Sequence, residues 1–265
     1  MNHPSQIEKH ENKENFERLE EFNNYLFYQH NVYEYAFKGN VGAPVYEKLQ
    51  NGAKVLEFGC ASGIWTTEVA SEYPNTEFYA VDFIIPDSSA NDNNNITFIK
   101  CDILKKLPFP DNEFDYVFSR DKYIFFKNDN IQNFVLEIFR VLKPGGWLEV
   151  VYPCFYKGLP GSALSRIFDG VRSLYMSYYI DYRFFMTNFE TYLQNTGKAE
   201  NISHQIAKIP LISDHAFAEF TCENCLLFFK TLKGLVAPIM KISFEEFDDL
   251  INNSENELKT PNEEM

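Results

Sequence analysis

The sequence predicts an α/β fold, a mostly parallel sheet with helices on both faces, and three observations carry the prediction. Strand-length apolar runs alternate with segments of helical spacing through the middle of the chain. The stretch Val55-Leu56-Glu57-Phe58-Gly59-Cys60-Ala61-Ser62-Gly63-Ile64-Trp65 is a buried strand that runs into a small-residue loop and then a helix. A second strand, Tyr79-Ala80-Val81-Asp82, then ends in an acid at the spacing a strand–helix–strand unit requires.

Along the chain, residues 1 to about 20 are charged and Asn-rich, and read as an acidic frayed arm covering 1–21. From Phe22 the residues Tyr25, Leu26, Tyr28, Gln29, Val32, Tyr33 and Ala36 recur near helical spacing, giving one or two N-terminal helices that end at Gly39-Asn40. Strands are expected at Lys54–Phe58, Glu77–Asp82, Ile96–Lys100, Phe114–Ser119 and Trp147–Tyr152, with helices from about Gly63 to Glu72 and Asn128 to Val141. Ligands of such sheets sit outside the carboxyl ends of the strands, so Glu57, Asp82, Asp102 and Ser119 should converge on one rim. After Pro153 the chain turns aromatic. Tyr175, Tyr178, Tyr179, Tyr182, Phe184, Phe185 and Phe189 are more than one face of a surface helix needs. Ile202–Pro210 reads as a further strand, followed by helices at about Asp214 to Leu235 and Ser243 to Leu258. All of 22–260 is expected to form one domain.

Composition narrows the function. The 265 residues are 45% hydrophobic, ample for a core. A net charge of −14 repels polyphosphate, and no run of Lys or Arg longer than two offsets it, so nucleic acid is not an expected partner. Five cysteines, at 60, 101, 154, 222 and 225, suggest no disulfide framework. The polar N-terminus lacks a signal peptide, and runs such as Cys225–Phe229 are far shorter than the roughly 20 residues of a membrane span. The cytoplasm is the expected location, with the nucleus as the alternative, and no membrane is an expected partner.

The loop and the acid together describe a pocket for a nucleoside cofactor. Small residues let a ligand lie against backbone, and Asp82 can accept hydrogen bonds from both ribose hydroxyls. A dinucleotide site wants G-x-G-x-x-G, whereas here the small residues fall at Gly59, Ala61 and Gly63, with Ile64 where the third glycine would stand. That E-x-G-x-A-x-G pattern resembles motif I of the class I S-adenosylmethionine-dependent methyltransferases. Cys101-Asp102-Ile103-Leu104 with Leu107-Pro108-Phe109-Pro110-Asp111-Asn112-Glu113-Phe114-Asp115-Tyr116-Val117 is similar to the family's block before its fourth strand. Val141-Leu142-Lys143-Pro144-Gly145-Gly146-Trp147-Leu148-Glu149-Val150 resembles its turn into the fifth. The segment from Tyr33 to Asn40 and on through Pro44-Val45 looks most like the fungal members, the kind that includes secondary-metabolism regulators.

The resemblance implies a Rossmann-like sheet, with a helical lid inserted after the fifth strand, and S-adenosyl-L-methionine as cofactor. Residues 53–152 would be the cofactor half, and 22–50 with 153–200 the lid and acceptor region. It implies a contact between Glu57 and the amino group of the methionine part, adenine packing by Phe83 and Ile103, and acceptance of the exocyclic amine by Asp102. Ser119 and Arg120 would meet the methionine end, although Arg120 can equally pair with Asp121 or Glu68. Ala61, where the middle glycine usually stands, adds a methyl group that narrows the fit. Lys143-Pro144-Gly145-Gly146 is read as structural, stopping a helix and turning the chain into a strand. A sulfonium brings its own activated methyl, so the protein supplies alignment and, for a protonated acceptor, a base. Candidate bases are His30, which can equally be a packed helix residue, and Asp121; the base itself stays unassigned. Cys222-x-x-Cys225 on a helix packs as small hydrophobes, and no metal is expected. The first expectation is therefore a methyltransferase acting on a small-molecule or protein acceptor. The alternative is an idle relative that acts by binding a partner, kept open by the lack of an apolar run before Met265 for the family's last antiparallel strand.

Overall fold

The computed structural model describes residues 6–86, 93–122, 131–153, 162–209 and 216–259. Their elements run α1 (Gln6–Phe37), α2 (Tyr46–Asn51), β1 (Lys54–Phe58), α3 (Ile64–Glu72), β2 (Glu77–Asp82), β3 (Ile96–Lys100), β4 (Phe114–Arg120), α4 (Ile131–Val141), β5 (Leu142–Val151), α5 (Ala163–Ser177), α6 (Tyr182–Asn195), α7 (Ala216–Met240) and α8 (Phe244–Lys259). They divide into two compact units, one of residues 37–155 and 175–206, the other of 1–36, 156–174 and 207–265.

The first unit is the α/β body. Its five strands lie in the order β3-β2-β1-β4-β5, and every pairing is parallel. Strand order reverses between β1 and β4, so the carboxyl end of β1 is the topological switch point where open sheets of this kind bind ligands. Alternation along the strands sends side chains to two cores. Leu56, Phe58, Val81, Phe114 and Val117 pack with Ile131, Phe134, Val135 and Ile138 of α4. Val55, Phe78, Tyr116 and Phe118 pack on the other face with Leu49 of α2 and Trp65 and Val69 of α3. Trp65 stacks on Phe118, ring centroids 3.9 Å apart, and donates its indole N–H to Asn40 O at 2.8 Å, fixing the segment that leads into α2. Strand β5 starts at Leu142, earlier than the expected Trp147, because the Lys143–Gly146 turn rejoins β4 through a register shift between Phe114 and Tyr116.

The second unit is helical. An aromatic ladder joins α1 to α7: Tyr25 to Phe228 (5.7 Å), Tyr28 to Phe220 (5.1 Å) and Tyr35 stacked on Phe217 (3.9 Å). Glu257 of α8 caps α5 by accepting the N–H groups of Ala163 (2.8 Å) and Leu164 (3.1 Å). Helix α7 packs on α8, with Phe229, Val236, Phe247 and Ile251 buried, and Cys222 is buried as well. Burial pushes the Cys225 thiol up to about 12, leaving a protonated, hydrophobe-like side chain.

Three further expectations change. The N-terminal helix begins at Gln6, not near Phe22, because Glu, Lys, Gln and Leu are strong helix formers that need no apolar stripe to continue a turn. Residues 202–209 form no strand; the isolated Ile202 and Ile206 are separated by polar Ser203, His204 and Gln205, and Ile206 is 89% exposed. Among the described residues the sheet therefore ends at β5. Phe189, expected among the lid aromatics, is buried in the α4-side core, where α6 packs on α4, whereas Tyr178 and Tyr179 are exposed. Cys154, Pro210, the expected helix starts at Asn128 and Asp214, the stretch 261–265 and the side chains of Tyr182, Phe184 and Phe185 lie outside the described residues. No helix among the described residues is long and apolar enough to cross a membrane.

Candidate functional site

The loop after β1 is built from left-handed backbone. Gly59 (φ 81°), Ala61 (φ 49°) and Gly63 (φ 73°) bend the chain from strand to helix within five residues. The bend is tied down from β2: Gly59 and Cys60 donate to Val81 O at 2.8 and 3.1 Å, and Gly63 donates to Cys60 O at 2.8 Å. A β-carbon at Gly63 would come within 2.6 Å of the Phe98 ring on β3. This glycine is thus needed for packing as well as for its φ.

Asp82 closes the arrangement. Its Oδ2 accepts the Ala61 N–H at 2.8 Å and its Oδ1 accepts the Phe83 N–H at 2.7 Å, so the acid at the end of β2 and the bend after β1 share one rim. Asp82 is 7% exposed. Lys122, beyond the end of β4, reaches Asp82 Oδ2 at 3.5 Å.

Glu57 lies one turn of the pleat deeper, on the α3 face of the sheet. It is buried, and Thr66 on α3, itself fully buried, donates its hydroxyl to Glu57 Oε2. Removal from water raises its pKa to about 7, and the Thr66 hydrogen bond and the charges of Arg120 and Lys122 only partly offset that. At neutral pH the carboxyl is poised between its two protonation states. Any cation placed beside it would draw it to the carboxylate.

The remaining rim residues divide. Ser119 is buried at the end of β4, paired through backbone with Val150, and Arg120 is half-buried and near enough to Glu57 to lower its pKa. Asp121 turns the chain with φ 58° while its N–H donates to Val151 O at 2.9 Å. Phe83 is partly buried against the α4-side core. Asp102 stands half-buried just beyond the end of β3. Its Oδ1 accepts the Leu104 N–H at 3.0 Å and its Oδ2 pairs with Lys105 at 3.0 Å, and the lysine holds its pKa below the usual carboxylate value. Ile103 points into the α4-side core at 3% exposure, which leaves it little surface for a ligand ring. His30, on α1, is buried and belongs to the helical unit.

Two residues escaped the sequence reading. Thr66 carries a signal only in retrospect, as the polar position on the inward face of α3 nearest to Glu57. Lys122 gives none, because nothing in its spacing tells which way a side chain leaves a turn.

A family model described as "Methyltransferase domain" matches residues 55–146, the segment that spans this rim from β1 to the turn entering β5. The chain carries a methyltransferase domain. Over this segment it is similar to the class I S-adenosylmethionine-dependent methyltransferases, whose cofactor is S-adenosylmethionine. Two fungal proteins resemble the domain. "Methyltransferase str3" of Strobilurus tenacellus is 33% identical over 108 residues, 41% of this chain and 37% of that protein. "N-methyltransferase verN" of Clonostachys rogersoniana is 28% identical over 138 residues, 50% of this chain and 47% of its own length. The chain thus spans less than half the length of these curated relatives. Among solved structures, a Haemonchus contortus phosphoethanolamine N-methyltransferase 2 shares the fold of the methyltransferase domain, with a TM-score of 0.50 and 21% identity over 86% of this chain and 52% of that one.

Proposed function

We propose that the chain is an S-adenosylmethionine-dependent methyltransferase that transfers the methyl group to a small molecule or a protein side chain. The observation that carries this reading is the convergence of Asp82 with the 59–63 bend, joined by a 2.8 Å hydrogen bond at the switch point of a parallel sheet. A carboxylate held there by backbone N–H groups keeps lone pairs for the two hydroxyls of a ribose, and the left-handed loop brings backbone close to the sugar.

S-adenosylmethionine, when bound, supplies an electrophilic methyl on a cationic sulfur. The protein's own residues then bind and orient. Asp82 is assigned the ribose, Phe83 one face of the adenine, and Asp102 the exocyclic amine by exchanging its contact with Lys105. Gly59, Ala61 and Gly63 form the wall along the ribose and methionine part, with Ser119 and Arg120 at the far end of that wall. Glu57 is assigned the ammonium of the methionine part. Its poise near neutrality suits that role, since the incoming cation stabilises the ionised form in a site removed from water. No general base is assigned, because in-line displacement from a sulfonium by an unprotonated acceptor needs none.

Titration calorimetry with S-adenosylmethionine and S-adenosylhomocysteine tests the first half of the reading, and saturable heat with both is expected. Absence of heat with both sinks it. Transfer of a labelled methyl group into separated metabolite and protein fractions of an extract tests the second half and identifies the acceptor class. Cofactor binding without transfer into either fraction would leave a binding protein, not an enzyme.

A further inference from the structure

Lys122 lies where the nucleoside is assigned. Asp121 turns the chain at the end of β4 with φ 58°, and the next side chain crosses the carboxyl end of β1 toward β2. A β-carbon built on Gly59 would stand 2.2 Å from Lys122 Cε, 2.5 Å from Cδ and 2.6 Å from Cγ, so the lysine stem rests on the glycine backbone. Its ammonium ends 3.5 Å from Asp82 Oδ2, and the two side chains are only 13% and 10% exposed. An apolar stem on Gly59 and an N–H donor at Asp82 reproduce, within the chain, the two contacts that a ribose would make.

We infer that Lys122 is a built-in competitor for the cofactor: it neutralises Asp82 and covers Gly59 in the ligand-free protein, and must leave both when the nucleoside enters. This rests on the proposed cofactor pocket and adds to it a residue that sets affinity from within. The physical reason for such a group is the burial of Asp82, since a carboxylate this far from water is costly without a cation beside it. The consequence is a ligand affinity scaled down to the fraction of time the lysine is away.

S-adenosylhomocysteine is the suitable probe. It carries no net charge, so deleting a lysine does not alter its affinity through simple repulsion, as it would for the cationic sulfonium. Calorimetry on the full chain should show Lys122→Ala binding it about fivefold or more tightly, because the competent state no longer has to be uncovered. Lys122→Met keeps a stem on Gly59 but cannot pair with Asp82, and should fall between the alanine variant and the parent. Lys122→Arg should stay within about twofold of the parent. Without ligand, the alanine variant should melt below the parent. Equal or weaker binding by both Lys122→Ala and Lys122→Met would overturn the proposal while leaving the pocket assignment intact. If the folded parent and its variants all fail to bind, the pocket assignment falls and the competitor with it. Should the alanine variant fail to fold, the methionine variant decides.

Discussion

The two ends of the sheet are built on opposite principles. At the amino end, charges are matched and partly wet. Lys54 pairs with Glu113 at 2.6 Å, Lys143 with Asp115 at 2.8 Å, and Lys54 N–H donates to Asp115 at 2.9 Å. Arg140 binds Glu137 and Asp111 and donates to the carbonyls of Phe109 and Leu107, clamping the loop before β4. At the carboxyl end two carboxylates, Glu57 and Asp82, are buried, and Glu57 is far from its ordinary pKa. The difference teaches where the molecule spends stability. The amino end pairs its charges with one another, while the carboxyl end holds costly buried groups, the pattern expected where a ligand is proposed to bind.

Substitutions can break that contrast. The largest effect is expected from Asp82→Ala, which should weaken S-adenosylmethionine at least tenfold in calorimetry, given two charge-assisted hydrogen bonds of roughly 1.5 to 3 kcal/mol each. An unchanged dissociation constant would remove Asp82 from the site. Arg140→Met attacks the other end. It should cost about 3 kcal/mol in denaturant unfolding, since Glu137 and two loop carbonyls lose their donor, and should leave cofactor affinity within about twofold. A matching loss of affinity would show that the two ends are not independent.

Glu57 supplies a pH test of smaller reach. Its folded pKa, about 7, stands above the unfolded value near 4.5, so between those values the folded state holds the proton more tightly. Stability from this group is therefore fully present below about pH 4.5 and is lost as pH rises to about 7, a change on the order of 3 kcal/mol. Glu57→Gln, which stays neutral, should flatten that part of the stability profile measured by urea unfolding at several pH values. A profile unchanged by the substitution would place the titration elsewhere. Asp102→Ala should do least. A half-buried acid paired with the exposed Lys105 adds little to stability, and its loss should weaken the cofactor by about threefold to tenfold without shifting the melting midpoint.

How much of this was legible in the sequence differs by residue. Strands β1 to β4 were readable because each is a short apolar run ended by a turn, and the parallel order follows from their alternation with helices. Asp82 and the loop were readable because spacing along a strand–helix–strand unit fixes which strand ends meet. The roles of Gly63 and Ile103 were not, since a glycine wanted for ligand approach and one wanted for the Phe98 ring look identical in one dimension. Strand β5 and the start of α1 were misjudged at their ends, where propensity and register outweigh periodicity.

By itself the sequence determined the order of elements, the class of the domain and the acid that faces the loop, because all three depend on local pattern and on distances along the chain. Only the tertiary structure decided that Glu57 is buried on Thr66, that Arg140 clamps the opposite end and that Lys122 lies across Gly59. Those depend on the directions in which side chains leave the backbone and on how much water their neighbours exclude. Neither quantity is written in a run of residues.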